Sequence, residues 1–455
     1  MGQPTFVSNR KGIEPSSLPA RSVIENKANS TIGNFQSPKA QPSIMQNTKT
    51  LFKSATNRLT LGIDVPLLIV VIFLLIIGLE MVYSASWNYV LHNWKDATFI
   101  LKRQLIWAAM GSTLAVVISF TDYHRLRRWI LPIMAITLLM LLLVLFLYDD
   151  PQLPRRTMFK GSIQPSELAK MVIIIYLSVW LFSKREHLND FSFGLLPLLT
   201  ILGFTAGLVM AEPDISAAAS VILLGGILFF IAGGQLRQIL VVVITASLFG
   251  LLVVKVSITA QDRVNEWLLG LQDPLKASYH VQRSMEAIIQ GKVLGVGLGK
   301  SSTKFTGLPV PWTDSIFAVI AEETGLLGGA LVITLYLILL WRGLSIAQRA
   351  PDMLGRLLAG GLTLWISIEA FINIGVMVNL IPFAGNALPL ISAGGSNMVT
   401  TLVAIGIIMS ISRAAANPDS GAETPERRAF SAIVDLRRRD RRRSVPRNDR
   451  PRRTQ

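Results

Sequence analysis

Carboxylates set close to long apolar runs stand out, because burying a charge against hydrocarbon is costly. Asp314 is the clearest case. It lies in "LPVPWTDSIFAVIAEE" (Leu308–Glu323), behind two prolines and a tryptophan and just before an apolar helix. A carboxylate at such an edge can have its pKa raised towards a value useful for a general base. Upstream, "GKVLGVGLGKSSTKF" combines Gly291, Gly295, Gly297 and Gly299 with Lys292, Lys300 and Lys304. Exposed amides and lysines can hold a phosphate, although a flexible basic loop reads the same way. The stretch "GKS" echoes the end of a nucleotide-binding loop, but Leu294 occupies the position of that motif's first glycine, so the echo is accidental.

Three further groups have chemical potential. Glu167 and Lys170 in "QPSELAKMV" are spaced i, i+3, which puts them on one helix face. They are either a structural ion pair or part of a functional site. Glu212 and Asp214 flank Pro213 in a turn, where acids are usually solvated. Glu369 sits in the middle of an apolar run with Asn373 one turn on, and it is expected to face the protein interior or to be protonated. The run "LPLISAGGSNM" is broken by Pro, Gly and Ser, and such backbone is tolerated at membrane depth only where protein or a wet cavity covers it. It is expected to form a cavity wall.

The elements that must carry these residues are membrane helices. The chain is 51% hydrophobic and only 16% charged over 455 residues, whereas a soluble protein carries about 25% charged residues. About ten apolar spans lie near 65–84, 104–120, 129–148, 166–183, 194–211, 215–232, 238–256, 316–341, 357–380 and 397–412. The fold class is therefore an all-α polytopic membrane protein with one long outer-face loop. The net charge of +16 sits in the tails and in a few short loops, which points to positive-inside topology and not to nucleic acid. On that rule both termini are cytoplasmic, and residues 257–315 and Asp314 lie outside. With no cysteine, disulfides and thiolate metal sites are excluded. No cleavable signal peptide is visible. Residues 1–61 read as a disordered tail, 62–412 as the membrane domain and 413–455 as a basic cytoplasmic tail. No internal repeat of the transporter kind is evident.

From "GLEMVYSAS" (Gly78–Ser86) to "IIMSISR" (Ile407–Arg413), the chain resembles the RodA/FtsW (SEDS) family of peptidoglycan polymerases. The resemblance rests on "QPSELAK", "EPD", "GVGLGKS", the Asp314 stretch, "NIG" and "LPLISAGGS", in consistent order and spacing. It implies ten spans in the bacterial plasma membrane, a class B penicillin-binding protein as partner, and lipid II as substrate. Lipid II is a disaccharide-pentapeptide on undecaprenyl pyrophosphate, polymerised at the outer leaflet. The family's key acid maps to Asp314, preceded by Thr313.

Several positions depart from the family's usual pattern. Val310 and Trp312 stand where it has an acid and a histidine, Ala393 where it has a tyrosine, and Glu369 where it has a glutamine. These departures would make the chain a divergent member, serving cell division or cell-shape elongation, and its two long tails lean towards the FtsW-like, divisional branch.

The implied reaction joins a sugar 4-hydroxyl to an anomeric carbon as lipid pyrophosphate leaves. Glycoside cleavage ordinarily needs an acid and a base, but pyrophosphate leaves unprotonated if cations hold it. One base, Asp314, then suffices together with a clamp from Lys300, Lys304 and Arg283. A divalent cation such as Mg2+ or Mn2+ at Asp314 is an alternative clamp. Glu167, Lys170, Asp214, Thr313, Ser392 and Ser396 are the remaining expected substrate or supporting contacts. Two other readings compete with the enzyme: a lipid II flippase using the same polar groups as a path, and a non-catalytic wall scaffold. Asp314 and the Gly/Lys segment lie at the outer edge and not at the midplane, which favours chemistry.

Overall fold

The computed structural model describes residues 62–94, 96–147, 164–188, 190–212 and 214–416, and all regular structure among them is helical. Helices form at each apolar run: α1 (Val65–Trp94), α2 (Phe99–Ser119), α3 (Leu126–Leu147), α4 (Pro165–Ser183), α5 (Leu196–Ala211), α6 (Ile215–Ile231) and α7 (Leu236–Val256). After two helices outside the apolar runs come α10 (Ile316–Arg349), α11 (Met353–Met377) and α12 (Gly395–Ala416). Eight of the described helices are long and apolar enough to cross a membrane. Of the other two, α6 is apolar but has 17 residues, and α2 carries Lys102, Arg103 and Gln104 in its first turns. This is a multi-pass membrane protein, and length and apolarity account for eight of the ten expected crossings.

Local chemistry sets the helix starts. Pro165 opens α4, where its missing N–H costs nothing. Asp214 caps α6 by accepting from Ala217 N (3.1 Å), and Asp352 caps α11 by accepting from Gly355 N (2.8 Å). The centre is α11, whose Leu358, Leu362, Trp365 and Ile366 are fully buried, whereas α7 turns Leu240, Val243, Leu248 and Leu251 outward to lipid. Helix α12 runs on to Ala416, past the span expected to end near 412, and Arg413 donates to the Ser119 carbonyl (2.9 Å). The expected tails, 1–61 and the rest of 413–455, lie outside the described residues.

The segment read as one long outer loop, 257–315, is partly helical. It contains α8 (Ile258–Gln272) and the amphipathic α9 (Tyr279–Gly291). Helix α10 is in fact two helices meeting at Gly325, which has φ 71°. Its 34 residues would span about 51 Å, well beyond the roughly 30 Å of hydrocarbon.

The break frees backbone groups that residues 292–297 satisfy. Val296 N donates to Glu322 O (3.0 Å) and Gly297 N to Glu323 O (3.0 Å). Leu326 N donates to Lys292 O (2.9 Å) and Leu327 N to Val293 O (3.3 Å). A Cβ at Gly291 or Gly295 would collide with the carbonyls of Ala321 or Glu323. These glycines therefore serve the docking of one backbone on another.

Candidate active site

Asp314 stands one residue before Ser315, the N-cap residue of α10. The turn leading to it holds Val310 at φ 40°, an unusual conformation for a β-branched residue. Thr313 N closes the turn onto Val310 O (3.1 Å), and Ser315 Oγ donates to Pro309 O (2.9 Å). The broken run before α12 then clasps this turn from the side. Ala393 N donates to Trp312 O (2.8 Å), Ser392 Oγ to Thr313 O (2.6 Å), and Asn373 Nδ2 to Asp314 O (2.8 Å). Ser392 Oγ also accepts from Leu388 N (2.8 Å), and Asn373 Nδ2 reaches Asn386 O (2.6 Å). Three consecutive carbonyls around the acid are thus fixed by groups from two other segments.

The Asp314 side chain is half-buried and faces the 383–386 loop, where a Cβ at Gly385 would lie 3.5 Å from Oδ2. Two residues away, the Phe383 ring lies 4.5 Å from the His280 ring, and the Arg263 guanidinium sits 5.6 Å over the same ring. Burial and the Arg263 charge hold His280 below the ordinary histidine value. Arg263, Phe383 and Ala384 also line a cavity of about 780 Å³, whose other walls are apolar residues of α6 and α7 such as Ile222, Phe230 and Val243. Nothing in the sequence singled out Arg263. It comes to the site because α8 folds back under the 382–384 loop, a contact between residues about 120 apart in the chain.

The expected cations divide differently. Lys304 is buried, with its ammonium on Glu323 Oε1 (2.7 Å), the Ser84 carbonyl (3.0 Å) and the Gly299 carbonyl (3.0 Å). Glu323 also accepts from Ser84 Oγ (2.7 Å) and Gly299 N (2.9 Å). Glu322 accepts from Ser301 Oγ (2.6 Å), Ser302 N (2.8 Å) and both the amide and hydroxyl of Thr303. The glycine-rich loop therefore does form an anion cradle, and two carboxylates of α10 fill it. Lys304 neutralises Glu323, so it is no open clamp for a phosphate. Arg283 pairs with Glu286 (2.7 Å) on α9 and lies over Tyr279. Lys300 is exposed.

A second polar cluster is buried in the bundle. Lys170 Nζ donates to Glu167 Oε1 (2.9 Å) and to Glu369, and Asn397 Nδ2 donates to Glu167 Oε2 (3.0 Å). Gln164 and Ser166 donate to Asp214 Oδ2 (3.1 and 3.2 Å), and Ser396 Oγ accepts from Gln164 N (2.9 Å). Glu167, Lys170, Asp214 and Ser396 thus tie α4 to α6, α11 and α12, apart from the Asp314 turn. Glu212, expected to be solvated, is instead buried, and among the described residues neither carboxylate oxygen has a hydrogen-bond partner. Burial and the neighbouring Asp214 push its pKa up to about 8.

A family model described as "cell cycle protein", FtsW/RodA/SpoVE, matches residues 65–417. The chain belongs to the FtsW/RodA/SpoVE family. Among its relatives, stage V sporulation protein E of Bacillus subtilis (strain 168) is 35% identical over 362 residues, covering 77% of this chain and 97% of the relative. The probable peptidoglycan glycosyltransferase FtsW of Trichlorobacter lovleyi is 35% identical over 353 residues, with 77% and 93% covered.

Among solved structures, a chain from a peptidoglycan synthase complex that coordinates polymerization and crosslinking aligns with TM-score 0.64 and 25% identity, over 77% of this chain and 98% of that one. The rod shape determining protein RodA of Thermus thermophilus aligns with TM-score 0.57 and 24% identity, over 77% and 97%. The FtsW/RodA/SpoVE match leaves out residues 1–64 and 418–455.

Proposed function

We propose that the chain is a peptidoglycan glycosyltransferase that polymerises lipid II at the outer leaflet of the plasma membrane, with Asp314 as general base. The observation that carries this reading is a carboxylate on a backbone-anchored turn, facing the same 383–386 loop whose Phe383 and Ala384 line an apolar cavity together with Arg263. The apolar walls suit a polyprenyl chain, and Arg263 suits the pyrophosphate at its head. The Asp314 carboxylate takes the proton of the acceptor sugar's 4-hydroxyl as that oxygen bonds to the donor's anomeric carbon. The bond from that carbon to pyrophosphate breaks, its electron pair leaves with the phosphate, and the configuration inverts.

Arg263 takes the place in the clamp that Lys304 cannot fill, and Lys300 and Arg283 remain as secondary cations. Among the described residues no three His, Cys, Asp or Glu side chains cluster as a metal cage. Asp314 is the residue that would hold a Mg2+ or Mn2+ ion, which would supply positive charge for the leaving group.

The relatives named FtsW favour wall synthesis at division, with a class B penicillin-binding protein supplying the crosslinks. The Arg and Lys bias of the short loops supports both termini being cytoplasmic and residues 257–315 outside. The test is polymerisation of labelled lipid II by purified protein, with and without its cognate penicillin-binding partner. Asp314→Asn should stay folded and lose about 10²–10⁴-fold in turnover. Asp314→Glu should recover little, since a shift of about 1 Å can cost about 10²-fold. Near wild-type polymerisation by Asp314→Asn would remove the acid from the chemistry. Lipid II transport without polymerisation by the wild type would establish the flippase reading.

A further inference from the structure

A second cavity, of about 450 Å³, lies between the outer end of α1 and the turn that carries Asp314. Its walls are Tyr89 from α1 and Phe305, Val310 and Trp312 from the turn, with Lys304 and Leu308 behind them. The Tyr89 and Trp312 rings are 4.7 Å apart and inclined at 38°, so they form a tilted aromatic wall. Phe305 is held edge-on by Trp87 at 6.2 Å. Both Tyr89 and Phe305 are about half exposed. We propose that this aromatic cavity is a saccharide subsite, taking an N-acetylated pyranose ring of the glycan while Asp314 acts on the neighbouring sugar.

Three observations support the assignment. A pyranose presents a face of polarised C–H groups, and the negative π-face of an aromatic ring is its complement. Among the described residues the one cation lining the cavity, Lys304, is neutralised by Glu323 (2.7 Å) and covered by the Ser84 and Gly299 carbonyls. The cavity therefore favours a neutral ring over a phosphate. Finally, Trp312 is held in fixed register with Asp314, because Ala393 N and Asn373 Nδ2 bind the carbonyls of these two residues. Val310 at φ 40° makes the turn that delivers both, and backbone strain of this kind gathers at functional sites.

The inference rests on the polymerase reading, and the test separates the two. Binding to full-length protein is measured for a lipid-free glycan tetrasaccharide and for a short-chain, water-soluble lipid II, with wild type, Trp312→Ala, Trp312→Phe and Tyr89→Ala. Trp312→Ala and Tyr89→Ala should each weaken at least one probe about five- to thirty-fold, and Trp312→Phe should keep most of the affinity. The probe that loses more tells whether the sugar belongs to the growing strand or to the incoming disaccharide. Polymerised product from Trp312→Ala should be shorter if the strand is the occupant. Unchanged affinity for both probes in the folded alanine variants would overturn the proposal, and so would loss of penicillin-binding partner capture with sugar affinity intact. A wild type that binds sugar through Trp312 yet never polymerises lipid II would sink the polymerase reading alone.

Discussion

The ammonium of Lys170 and the carboxylate of Glu369 form a buried ion pair between α4 and α11, and Glu167 bonds the same ammonium from one turn along α4. One cation thus serves two carboxylates in the buried centre of the bundle. Removing the shared cation leaves both acids uncompensated, which typically costs about 3–5 kcal/mol for a buried pair. Glu369→Gln leaves one cation facing one carboxylate, and the amide oxygen still accepts. Lys170→Met should therefore lower thermal stability in detergent sharply, while Glu369→Gln should change it by no more than about 1 kcal/mol. Adding Glu167→Gln and Glu369→Gln to Lys170→Met should recover stability. A triple variant worse than Lys170→Met alone would show that the three groups do not act as one ion cluster.

Glycine positions between 291 and 299 give a sharper contrast. Gly295 and Gly299 both have positive φ, at 81° and 77°. At Gly295 an added Cβ meets the Glu323 backbone, whereas at Gly299 nothing lies within 4 Å. Gly299→Ala should cost only the left-handed conformation, about 1–2 kcal/mol. Gly295→Ala should also pull residues 292–297 out of the α10 break and expose them to protease. Equal protease sensitivity in the two variants would mean that the segment does not seal that break.

Much of this was legible in the sequence, and the remainder was not for a definable reason. Apolar runs declare membrane helices by length alone, so α4, α11 and α12 were placed to within a few residues. The Glu167–Lys170 pairing follows from helical spacing. The role of "GVGLGKSSTK" could not be read locally, because its partners, Glu322 and Glu323, lie about twenty residues on, on the next helix and just before its break at Gly325. A local reading sees lysines and free amides, and the folded chain has already filled them. Arg263 was missed because no periodicity predicts that α8 returns beneath the 382–384 loop.

Glu212 gives a pH prediction whose sign can be worked out. Its carboxyl is raised from the usual 4.5 to about 8 in the folded protein by burial and by Asp214. Between those values the folded state holds a proton that the unfolded state has released, so this group's contribution falls as pH rises. Stability from Glu212 is fully present below about pH 4.5, declines up to about 8 and is flat above. Glu212→Gln should flatten that slope in thermal unfolding followed from pH 5 to 8. An unchanged slope would place the titration elsewhere.

Topology is open to a direct check, because the chain contains no cysteine to remove. A cysteine at exposed Lys300 should react with an impermeant reagent from outside, and one at Ser420 only after permeabilisation. The reverse pattern would put Asp314 on the cytoplasmic side and end the outer-leaflet mechanism.

Arg263 and Lys304 separate the clamp that local sequence implies from the one the fold supports. Lys304 is buried on Glu323 and braces the loop, so Lys304→Met should act on folding, leaving Glu323 as an uncompensated buried charge at about 3–5 kcal/mol. Arg263 lies over Phe383 at the head of the apolar cavity, close to the loop that Asp314 faces. Arg263→Gln should leave the unfolding temperature nearly unchanged and weaken handling of the pyrophosphate. A group that meets charge developing on the leaving oxygen acts mainly in the transition state, and losing one such donor typically costs about 10²–10³-fold in kcat. Arg263→Lys should recover part of that loss, since the charge remains while the planar fork is gone. Added Mg2+ or Mn2+ should rescue Arg263→Gln more than Asp314→Asn, because a cation can replace a clamp but not a base. If Arg263→Gln polymerises lipid II at the wild-type rate while a folded Lys304→Met protein does not, the clamp belongs to the glycine-rich loop after all.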